Sequence, residues 1–161
     1  IVFWVDPADS RHGKVVGLEE NGGARWNDGD YDTGANDMNN GLNNMKKVRE
    51  YISSQSKNWM NFPLFAWVHS MNDANEDYSD TDTKGVWYLP ARDELTTLYN
   101  AKADVNTGVT SAGGTTLSDV WYWSSSEDGS HYADVVFFSN GGTYAGPKSR
   151  DDNRARCVFA F

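Results

Sequence analysis

Two acidic segments supply the oxygen atoms that hard cations prefer as ligands. NDGDYDTGANDMNN covers residues 27–40, and NDANEDYSDTDT covers residues 72–83. Neither segment has the spaced aspartates, the central glycine and the terminal glutamate of an EF-hand loop. The pattern therefore predicts solvated loops and no metal or other cofactor. A structural calcium ion in either acidic loop is the alternative that the sequence leaves open.

Nucleophiles and bases are present, but not in a catalytic pattern. Cys157 is the one cysteine, which excludes an internal disulfide, a cysteine-based zinc cluster and a redox dithiol. Residues 124–126 are serines outside any nucleophile elbow, and we predict that they end a strand and form a turn. Asp93 and Glu94 would point about 100° apart on a helix, which suits N-terminal capping. We predict strand or surface positions for the three histidines, and we predict no enzyme activity. The histidines are His12, His69 and His131.

The charge of the chain excludes two classes of partner. Its 161 residues carry 23 acidic and 14 basic side chains, for a formal net charge of −9. Binding to nucleic acid or to anionic lipid by counterion release requires a basic patch, which this composition does not favour. No apolar run reaches the ~18 residues that a membrane helix needs, so we expect no membrane insertion of this domain.

Length and composition predict one folded domain with many loops. The chain is 39% hydrophobic and contains 15 glycines, and loops often carry function. Because the sequence begins with Ile rather than Met, we interpret residues 1–161 as the C-terminal module of a longer protein. Its anchoring segment would then lie outside these residues.

Periodicity places helices in the middle of the chain and strands at both ends. Leu42, Met45, Val48 and Ile52 recur at steps of three and four residues, which predicts an amphipathic helix over 42–54. Residues 63–71 are predicted as a second helix, with a strand as the alternative, and residues 90–101 as a third helix. The predicted strands are 1–5, 14–18, 85–89, 120–124, 133–138 and 154–161. This arrangement predicts an α+β fold in which the terminal strands pair in one sheet.

Residues 121–161 change in composition twice. Regular segments, 121–127 and 154–161, bracket a middle that mixes Asp, Gly, Ser, His, Tyr and Asn. In the predicted strand 133–138, alternation puts Asp134, Val136 and Phe138 on one face. A face that mixes polar and apolar side chains is typical of a binding surface, so we expect these three residues to be accessible.

Four pieces of the chain, taken in order, are similar to one known family. They are IVFWVDPADSRHGKVVGLEENGGARW, GVWYLPARDELTTLYNAK, WYWSSSE and RARCVFAF. Together they resemble the Fibrobacter succinogenes major paralogous domain, which is C-type-lectin-like. The resemblance spans essentially the whole chain and implies a C-type-lectin-like fold with two to three helices and long irregular loops. The tripeptide at residues 26–28, WND, also resembles a calcium-lectin motif, but it lies far from the late strand where that motif works, and we interpret it as a coincidence.

The resemblance also implies a mechanism of diversification. Many members of the family look like variable proteins of diversity-generating retroelements, in which adenines of a template are randomised as it is copied into the 3′ end of a gene. Randomised Asn codons can encode Asn, Asp, Gly, Ser, His, Tyr, Ala, Val, Phe and Pro, but not Lys. The non-framework residues of 128–152 fall within that set, although ordinary loop composition would also explain them. Residues 121–161 are thus predicted to be the variable-region-like segment, with Lys148 as part of its framework.

The predicted ligand-binding surface lies within residues 128–152. Aromatic side chains bring rigid contact area at a low entropic cost, and small polar side chains adapt their hydrogen bonds. The predicted anchors are His131, Tyr132, Phe138 and Tyr144. The complete predicted site is Asp128, Ser130, His131, Tyr132, Asp134, Val136, Phe138, Ser139, Tyr144, Ala145, Pro147, Ser149, Asp151 and Asp152.

The final strand is predicted to belong to the rigid framework that carries this surface. Arg154 and Arg156 alternate along it, so their side chains share one side. We predict ion pairs with Glu127 or Asp134, and direct ligand contact is the alternative. If the strand pairs with the first strand, the segment before it can change without loss of core stability. The predicted frame consists of Trp121, Trp123, Phe137, Ala155, Cys157, Phe159 and Phe161.

These interpretations converge on binding rather than catalysis. We predict a diversified receptor or adhesin-like module on a bacterial cell surface, with display on a phage particle as an alternative. The expected partner is a protein or a surface polymer, because no calcium-dependent sugar motif is recognised. An invariant structural or pilus-associated module is the alternative function. Fold alone does not decide between them.

Overall fold

A computed structural model of the chain describes residues 1–72 and 86–161. The described residues form an α+β fold with two antiparallel sheets and four α-helices. Apart from Asn72, the acidic segment at residues 72–83, which was predicted to be a solvated loop, lies outside the described residues. In chain order, the elements are β1 (Val2–Val5), β2 (Gly13–Val16), α1 (Gly41–Ser54), a 3₁₀ helix (Trp59–Asn61), α2 (Pro63–Ser70), β3 (Trp87–Tyr88), α3 (Arg92–Asn100), α4 (Lys102–Ser111), β4 (Trp121–Asp128), β5 (Tyr132–Phe137), β6 (Gly142–Pro147) and β7 (Val158–Ala160).

The four-stranded sheet contains the first and the last strand of the chain, β1 and β7, but these two strands are not neighbours. Its order is β1-β2-β7-β3, and each pair is antiparallel. Lys14 of β2 lies opposite Trp4 of β1 and opposite Ala160 of β7. The prediction that the last strand pairs directly with the first is therefore wrong, although the two share a sheet. The β1–β2 hairpin leaves one edge of β2 free, and β7 occupies that edge.

The chain termini leave this sheet at opposite ends of β2. The Ile1 N-terminal amine donates to the Val16 carbonyl oxygen at 3.0 Å, at the end of β2. The Phe161 N–H donates to the Gly13 carbonyl oxygen at 3.0 Å, at the beginning of β2. Strands β1 and β7 therefore run parallel to each other on either side of β2.

The second sheet has the order β4-β5-β6, with β5 in the centre. Its strand β6 was not predicted, because Gly142, Gly146 and Pro147 give that segment the composition of a loop. The pairing of β4 with β5 shifts register between Trp123 and Glu127. Between these two residues the backbone of β4 forms hydrogen bonds with segments outside the sheet. These bonds join the sheet to the rest of the fold.

The three serines of β4 make that joint. Residues 124–126 were predicted to be a strand end and a turn, but β4 continues to Asp128 and all three serines are buried. The Ser125 N–H donates to the Pro90 carbonyl oxygen, and the Ser125 hydroxyl accepts from Asn44 of α1. The Ser126 hydroxyl donates to the Asp37 carbonyl oxygen at 2.8 Å. The Ser124 hydroxyl donates to the Asp134 carbonyl oxygen at 2.8 Å. Each serine thus satisfies a buried polar group, which explains why the strand can run through the core.

Helix α1 lies where its apolar period predicts it. The Asn40 side chain accepts from the Asn43 N–H and caps the helix. The apolar stripe Leu42, Met45, Val48 and Ile52 is buried against the core. Residues 63–70 are helical, which confirms the preferred prediction for that segment.

Glu94 does more than cap α3. It accepts from the Ala91 N–H at 2.8 Å, as the predicted capping role requires. Its carboxylate also accepts from the Gly41 N–H, the Tyr88 hydroxyl and the Lys14 ammonium. Glu94 is buried, so these four donors offset the cost of removing its charge from water.

Helix α4 was not predicted. Its sequence, KADVNTGVTS, contains Asn, Thr and Gly, which are poor helix formers, and only Val105 and Val109 are buried. Helix packing rather than intrinsic propensity therefore forms α4, as is common for short helices.

Candidate binding surface

Most of the predicted site residues are accessible on the β4–β5–β6 sheet and its turns. Tyr132 is 46% exposed and Tyr144 is 50% exposed, which are high fractions for aromatic side chains. Ser130 and Asp134 are half-buried. The other exposed members of the predicted set are Asp128, His131, Ser139, Ala145, Pro147, Ser149, Asp151 and Asp152.

The prediction that Val136 and Phe138 are accessible is wrong, because both side chains are buried. The Phe138 ring lies 4.4 Å from the Tyr122 ring and 5.6 Å from the Tyr99 ring, centroid to centroid. Helix α3, which contains Tyr99, packs over this end of β5. The face that carries Asp134 is thus open at one end and covered by the helix at the other. Alternation along a strand predicts which side a residue faces, but not what covers that side.

The strand register divides the accessible residues between two sides of the sheet. Tyr132 lies opposite Pro147, and Asp134 lies opposite Ala145, so these side chains share one side. Tyr144 is next to Ala145 in β6 and therefore faces the other side. The predicted single surface is corrected to two patches, which meet at the β6 edge of the sheet. Pro147 borders a cavity on each of them.

The Tyr144 patch is an aromatic cluster. The Trp121 and Phe137 rings stack with centroids 4.5 Å apart, and the Tyr144 ring meets Trp121 edge-on at 4.9 Å. A shallow cavity of about 160 Å³ lies beside Trp121 and Tyr144 and reaches Arg150. Trp121 and Phe137 are half-buried, so the prediction that they belong only to the frame is incomplete.

The second patch borders a larger cavity at the end of β5 and β6. This cavity, of about 390 Å³, brings together the predicted residues His131, Tyr132, Pro147 and Ser149. The opposite wall comes from the loop after β2, which sequence reasoning had not assigned to the site. The residues of that wall are Arg25, Asn27, Asp28, Gly29 and Asp30.

Asn27 is the most unusual member of this wall. It is 1% exposed, and within the described residues its amide nitrogen and its amide oxygen both lack a hydrogen-bond partner. The WND tripeptide, which we had interpreted as a coincidence, therefore contributes to the cavity. Nothing in the sequence indicated that residues 27–28 would line the same cavity as residues 147–149.

Asp134 has an unfavourable environment for a charge. Burial raises the pKa of its carboxyl above the ordinary value. The Arg92 guanidinium, 3.7 Å away, opposes this shift, whereas the Asp128 and Asp93 carboxylates add to it. One oxygen of Asp134 is buried without a hydrogen-bond partner among the described residues.

A buried ion pair holds both ends of the candidate segment. Lys148, which is 2% exposed, pairs with Glu127 and donates to the carbonyl oxygens of Tyr31 and Gly129, each at 2.7 Å. Glu127 also accepts from the backbone N–H groups of Thr33 and Gly34, at 2.8 Å and 2.9 Å. Burial lowers the pKa of Lys148, and the hydrogen bond to Glu127 opposes that shift. The framework role predicted for Lys148 is consistent with this burial.

Arg154 and Arg156 do share one side of the chain, but their partner is neither Glu127 nor Asp134. Arg154 pairs with Glu20 at 2.7 Å, and the Arg156 Nε lies 3.4 Å from the same carboxylate. Arg156 is fully buried and also donates to the Gly17 and Leu18 carbonyl oxygens. It thus fastens the loop after β2, and no ligand contact by Arg156 is compatible with its burial.

Ser130, His131 and Asp30 form the one arrangement in the candidate surface that resembles catalytic groups. The Ser130 hydroxyl lies 2.7 Å from His131 Nδ1, and Asp30 lies 3.5 Å from His131 Nε2. The His131 and Asp30 side chains are 63% and 73% exposed. Solvent there screens the electrostatic effects on which such catalysis depends. The arrangement suits adaptable hydrogen bonding better than nucleophilic attack.

Residues 1–72 and 86–161 contain no group of three or more His, Cys, Asp or Glu side chains placed to hold a metal ion. No helix in the same ranges is long and apolar enough to cross a membrane.

Comparisons with known proteins support the fold only. No family model and no curated protein matches the chain. Among solved structures it is similar to a fimbrial protein from Bacteroides ovatus ATCC 8483, with a TM-score of 0.60 and 20% sequence identity. The similarity covers 92% of this chain and 35% of that structure, so the chain spans about a third of its neighbour.

Proposed function

We propose that the chain is a ligand-binding module of a bacterial cell surface, with a C-type-lectin-like fold. Its binding residues are the accessible positions of 128–152, together with the loop at residues 25–30. A protein or a surface polymer is the proposed ligand, and catalysis is not part of the proposal. Surface display is supported by the likeness to a fimbrial protein, and a phage particle remains the alternative site of display.

The observation that carries the proposal is the separation of exposed positions from a buried frame. Tyr132 and Tyr144 present large aromatic area to solvent, whereas Glu127 and Lys148 fasten the same segment from within. Aromatic anchors among small polar side chains are the composition of adaptable binding surfaces. Substitution at the exposed positions would leave the buried pair and the core unchanged.

We further propose that a retroelement diversifies these accessible positions. The family resemblance of the four sequence pieces supports this, as does the set of residue types at the exposed positions. Val136 and Phe138 are excluded from the diversified set because they are buried. The test is to sequence the DNA beside the gene. We expect a near-copy of the segment encoding 121–161, differing at template adenines, and a reverse transcriptase gene. Their absence would remove the retroelement from the proposal.

A library tests whether the surface can host variation. One library randomises Tyr132, Tyr144, Ala145, Ser149 and Asp151, and a matched library randomises five buried positions. Each is displayed on yeast and scored for protease-resistant folded protein. We expect the surface library to remain mostly folded and the buried library to lose folding, because core changes cost several times more stability than surface changes. Equal losses in the two libraries would contradict a variable binding surface.

The alternative function is an invariant structural or pilus-associated module. The fimbrial neighbour is the specific observation in its favour, since an assembly subunit needs a constant surface. Comparing copies of the gene in sister strains separates the two. Differences concentrated at the exposed positions of 128–152 would support binding, whereas near-identity there would support the structural module.

A further inference from the structure

The two edges of the β4–β5–β6 sheet differ in how their backbone groups are used. Along β4, the N–H groups of Trp123, Ser125 and Glu127 donate to carbonyl oxygens of segments outside the sheet, each at 2.8 Å. Strand β6 forms the other edge, and no described segment pairs with its outer side. The fold therefore closes one edge of this sheet and leaves the other open.

The strand register shows which groups of β6 face outward. The Lys148 N–H donates to the His131 carbonyl oxygen at 2.9 Å, so Pro147 and its partner in β5 exchange no hydrogen bonds. Every second residue before Pro147 lies in a pair of the same kind, which includes Ala145 and Thr143. Their N–H and C=O groups point away from β5, and both residues are exposed. No other described residue bonds to these backbone groups.

The sequence of β6 does little to protect this edge. Natural sheets block exposed edges with charged side chains, bulges, prolines or very short strands. Strand β6 has six residues, carries no charged side chain and pairs with β5 without a register shift. Pro147 blocks only its last position, because proline has no N–H to donate. An extended chain can thus add to β6 as a further strand, which is a common mode of peptide recognition.

The Tyr144 patch lies beside the open edge. Its cavity, of about 160 Å³, is lined by Tyr144 and Gly146 of β6 and by Trp121 of β4. Tyr144 and Gly146 alternate with Ala145, so they face the same side of the sheet. Because Gly146 has no side chain, a side chain opposite it in an added strand has room to reach the cavity. A cavity of about 150 Å³ can hold a benzene ring, so an aromatic side chain fits this one.

The charges at the cavity also favour an aromatic side chain. Among the described residues, Arg150 is the one charged side chain that lines it. A guanidinium attracts the face of an aromatic ring and repels Lys or Arg. A carboxylate would compete with Asp152, which already accepts from the Arg150 Nε at 2.8 Å. A second copy of the chain would bring another net charge of −9 to the contact, which disfavours self-association.

We propose that β6 binds an extended segment of a partner protein as an antiparallel strand, with an aromatic side chain of that segment in the cavity beside Trp121, Tyr144 and Arg150. Thr143 and Ala145 supply the backbone hydrogen bonds. These bonds do not depend on side-chain identity, so substitutions at the exposed positions of β6 change selectivity while the mode of binding stays constant. The proposal rests on the proposed binding function and names the partner chemistry at one edge of that surface.

The test is amide hydrogen exchange of the ¹⁵N-labelled chain, followed by NMR. In the free chain, the Thr143 and Ala145 N–H groups should exchange much faster than the Tyr144 N–H, which faces β5. The probe is the capped peptide acetyl-Val-Thr-Phe-Thr-Val-amide. Near saturation it should slow exchange at Thr143 and Ala145 by about tenfold and leave Tyr144 unchanged. Peptides with Lys or Glu in place of Phe should bind about tenfold more weakly.

Two modified peptides test the backbone bonds directly. When phenylalanine faces the cavity in an antiparallel strand, the threonine N–H groups face β6 and the phenylalanine N–H faces away. N-methylation of both threonines should therefore abolish binding. N-methylation of the phenylalanine is the matched control and should weaken binding far less.

Two variants and a control connect the protection to the residues. Ala145→Pro removes one outward N–H and should abolish the protection of Thr143 by the peptide. Arg150→Gln should remove the preference for phenylalanine over lysine without lowering the melting temperature, because its ion pair with Asp152 is exposed. Asp104→Asn, at an exposed position of α4, should change neither. If Ala145→Pro fails to fold, Arg150→Gln and the methylated peptides decide the question.

Three results would overturn the proposal. They are unchanged exchange at Thr143 and Ala145 up to the solubility limit of the peptide, equal binding of the peptide methylated at both threonines, and slow exchange at these residues in a dimer of the free chain. The last result would assign the edge to a second copy. Unchanged exchange together with a tolerant surface library would refute this inference alone, whereas an intolerant library would refute the proposed function itself.

Discussion

The buried Glu127–Lys148 ion pair predicts that replacing one of its two residues should lower the stability of the folded chain. Replacing Lys148 by Met keeps an unbranched chain of similar length over the Trp26 ring, which now lies 4.6 Å from the ammonium. The substitution removes the charge and its donors to Tyr31 and Gly129. It also leaves the Glu127 carboxylate buried without its counter-ion.

The magnitude follows from the cost of an uncompensated buried charge. Removing one partner of a buried pair costs about 3–5 kcal/mol. For a domain of this size, 1 kcal/mol corresponds to about 2–4 °C, so Lys148→Met should lower the melting temperature by roughly 12 °C. The assay is thermal or urea denaturation followed by circular dichroism. The matched control is Lys47→Met, since Lys47 pairs with Glu50 in an exposed ion pair and such pairs contribute little.

A double variant checks the reason for the loss. Adding Glu127→Gln to Lys148→Met should restore part of the stability, because the double variant no longer buries a lone charge. If Lys148→Met is no less stable than Lys47→Met, or if Glu127→Gln worsens it further, the reasoning is refuted.

Three other predictions concern single residues. Burial raises the pKa of the Cys157 thiol to about 11, so a thiol reagent at neutral pH should label it only in denaturant, and rapid labelling of the folded chain would contradict its burial. Because folding raises the pKa of Asp134, its ionised form destabilises the fold above the unfolded-state value of about 3.9. Asp134→Asn should therefore raise the melting temperature at neutral pH and lose that advantage in acid, and a gain independent of pH would exclude this cause. Phe138→Ala should cost about 3–5 kcal/mol, whereas Tyr144→Ala should cost about 1 kcal/mol or less in the same urea titration, and similar costs would mean that the assignment of core and surface is wrong.

The sequence predicted those elements that have a clear local signal, such as a regular repeat of apolar residues or a proline at the first turn of a helix. The stripe from Leu42 to Ile52 and the proline at residue 63 indicated α1 and α2, and the structure contains both helices. Helix α4 and strand β6 lack such a period, because Gly, Asn and Thr interrupt them. Tertiary packing forms these two elements, and a single sequence records packing poorly.

The candidate site was predicted in part for a related reason. Composition indicated that 128–152 is accessible, and most of its predicted residues are. The burial of Phe138 could not be read from the strand, because α3 lies elsewhere in the chain and supplies the cover. The contribution of Asn27 depends in the same way on a contact between distant segments. Ion-pair partners were missed for this reason too, since Glu20 is over a hundred residues from Arg154.

The placement of the chain ends has a mechanical consequence. Force that pulls the two ends apart would draw β1 and β7 in opposite directions along the length of β2. The hydrogen bonds between these strands would then be loaded together, in shear, rather than opened one after another. Tension of this kind would act on the chain in the cell-surface role proposed above. In single-molecule pulling, the chain held by its ends should rupture at a higher force than the same chain held across β1 and β2 at one end of their hairpin.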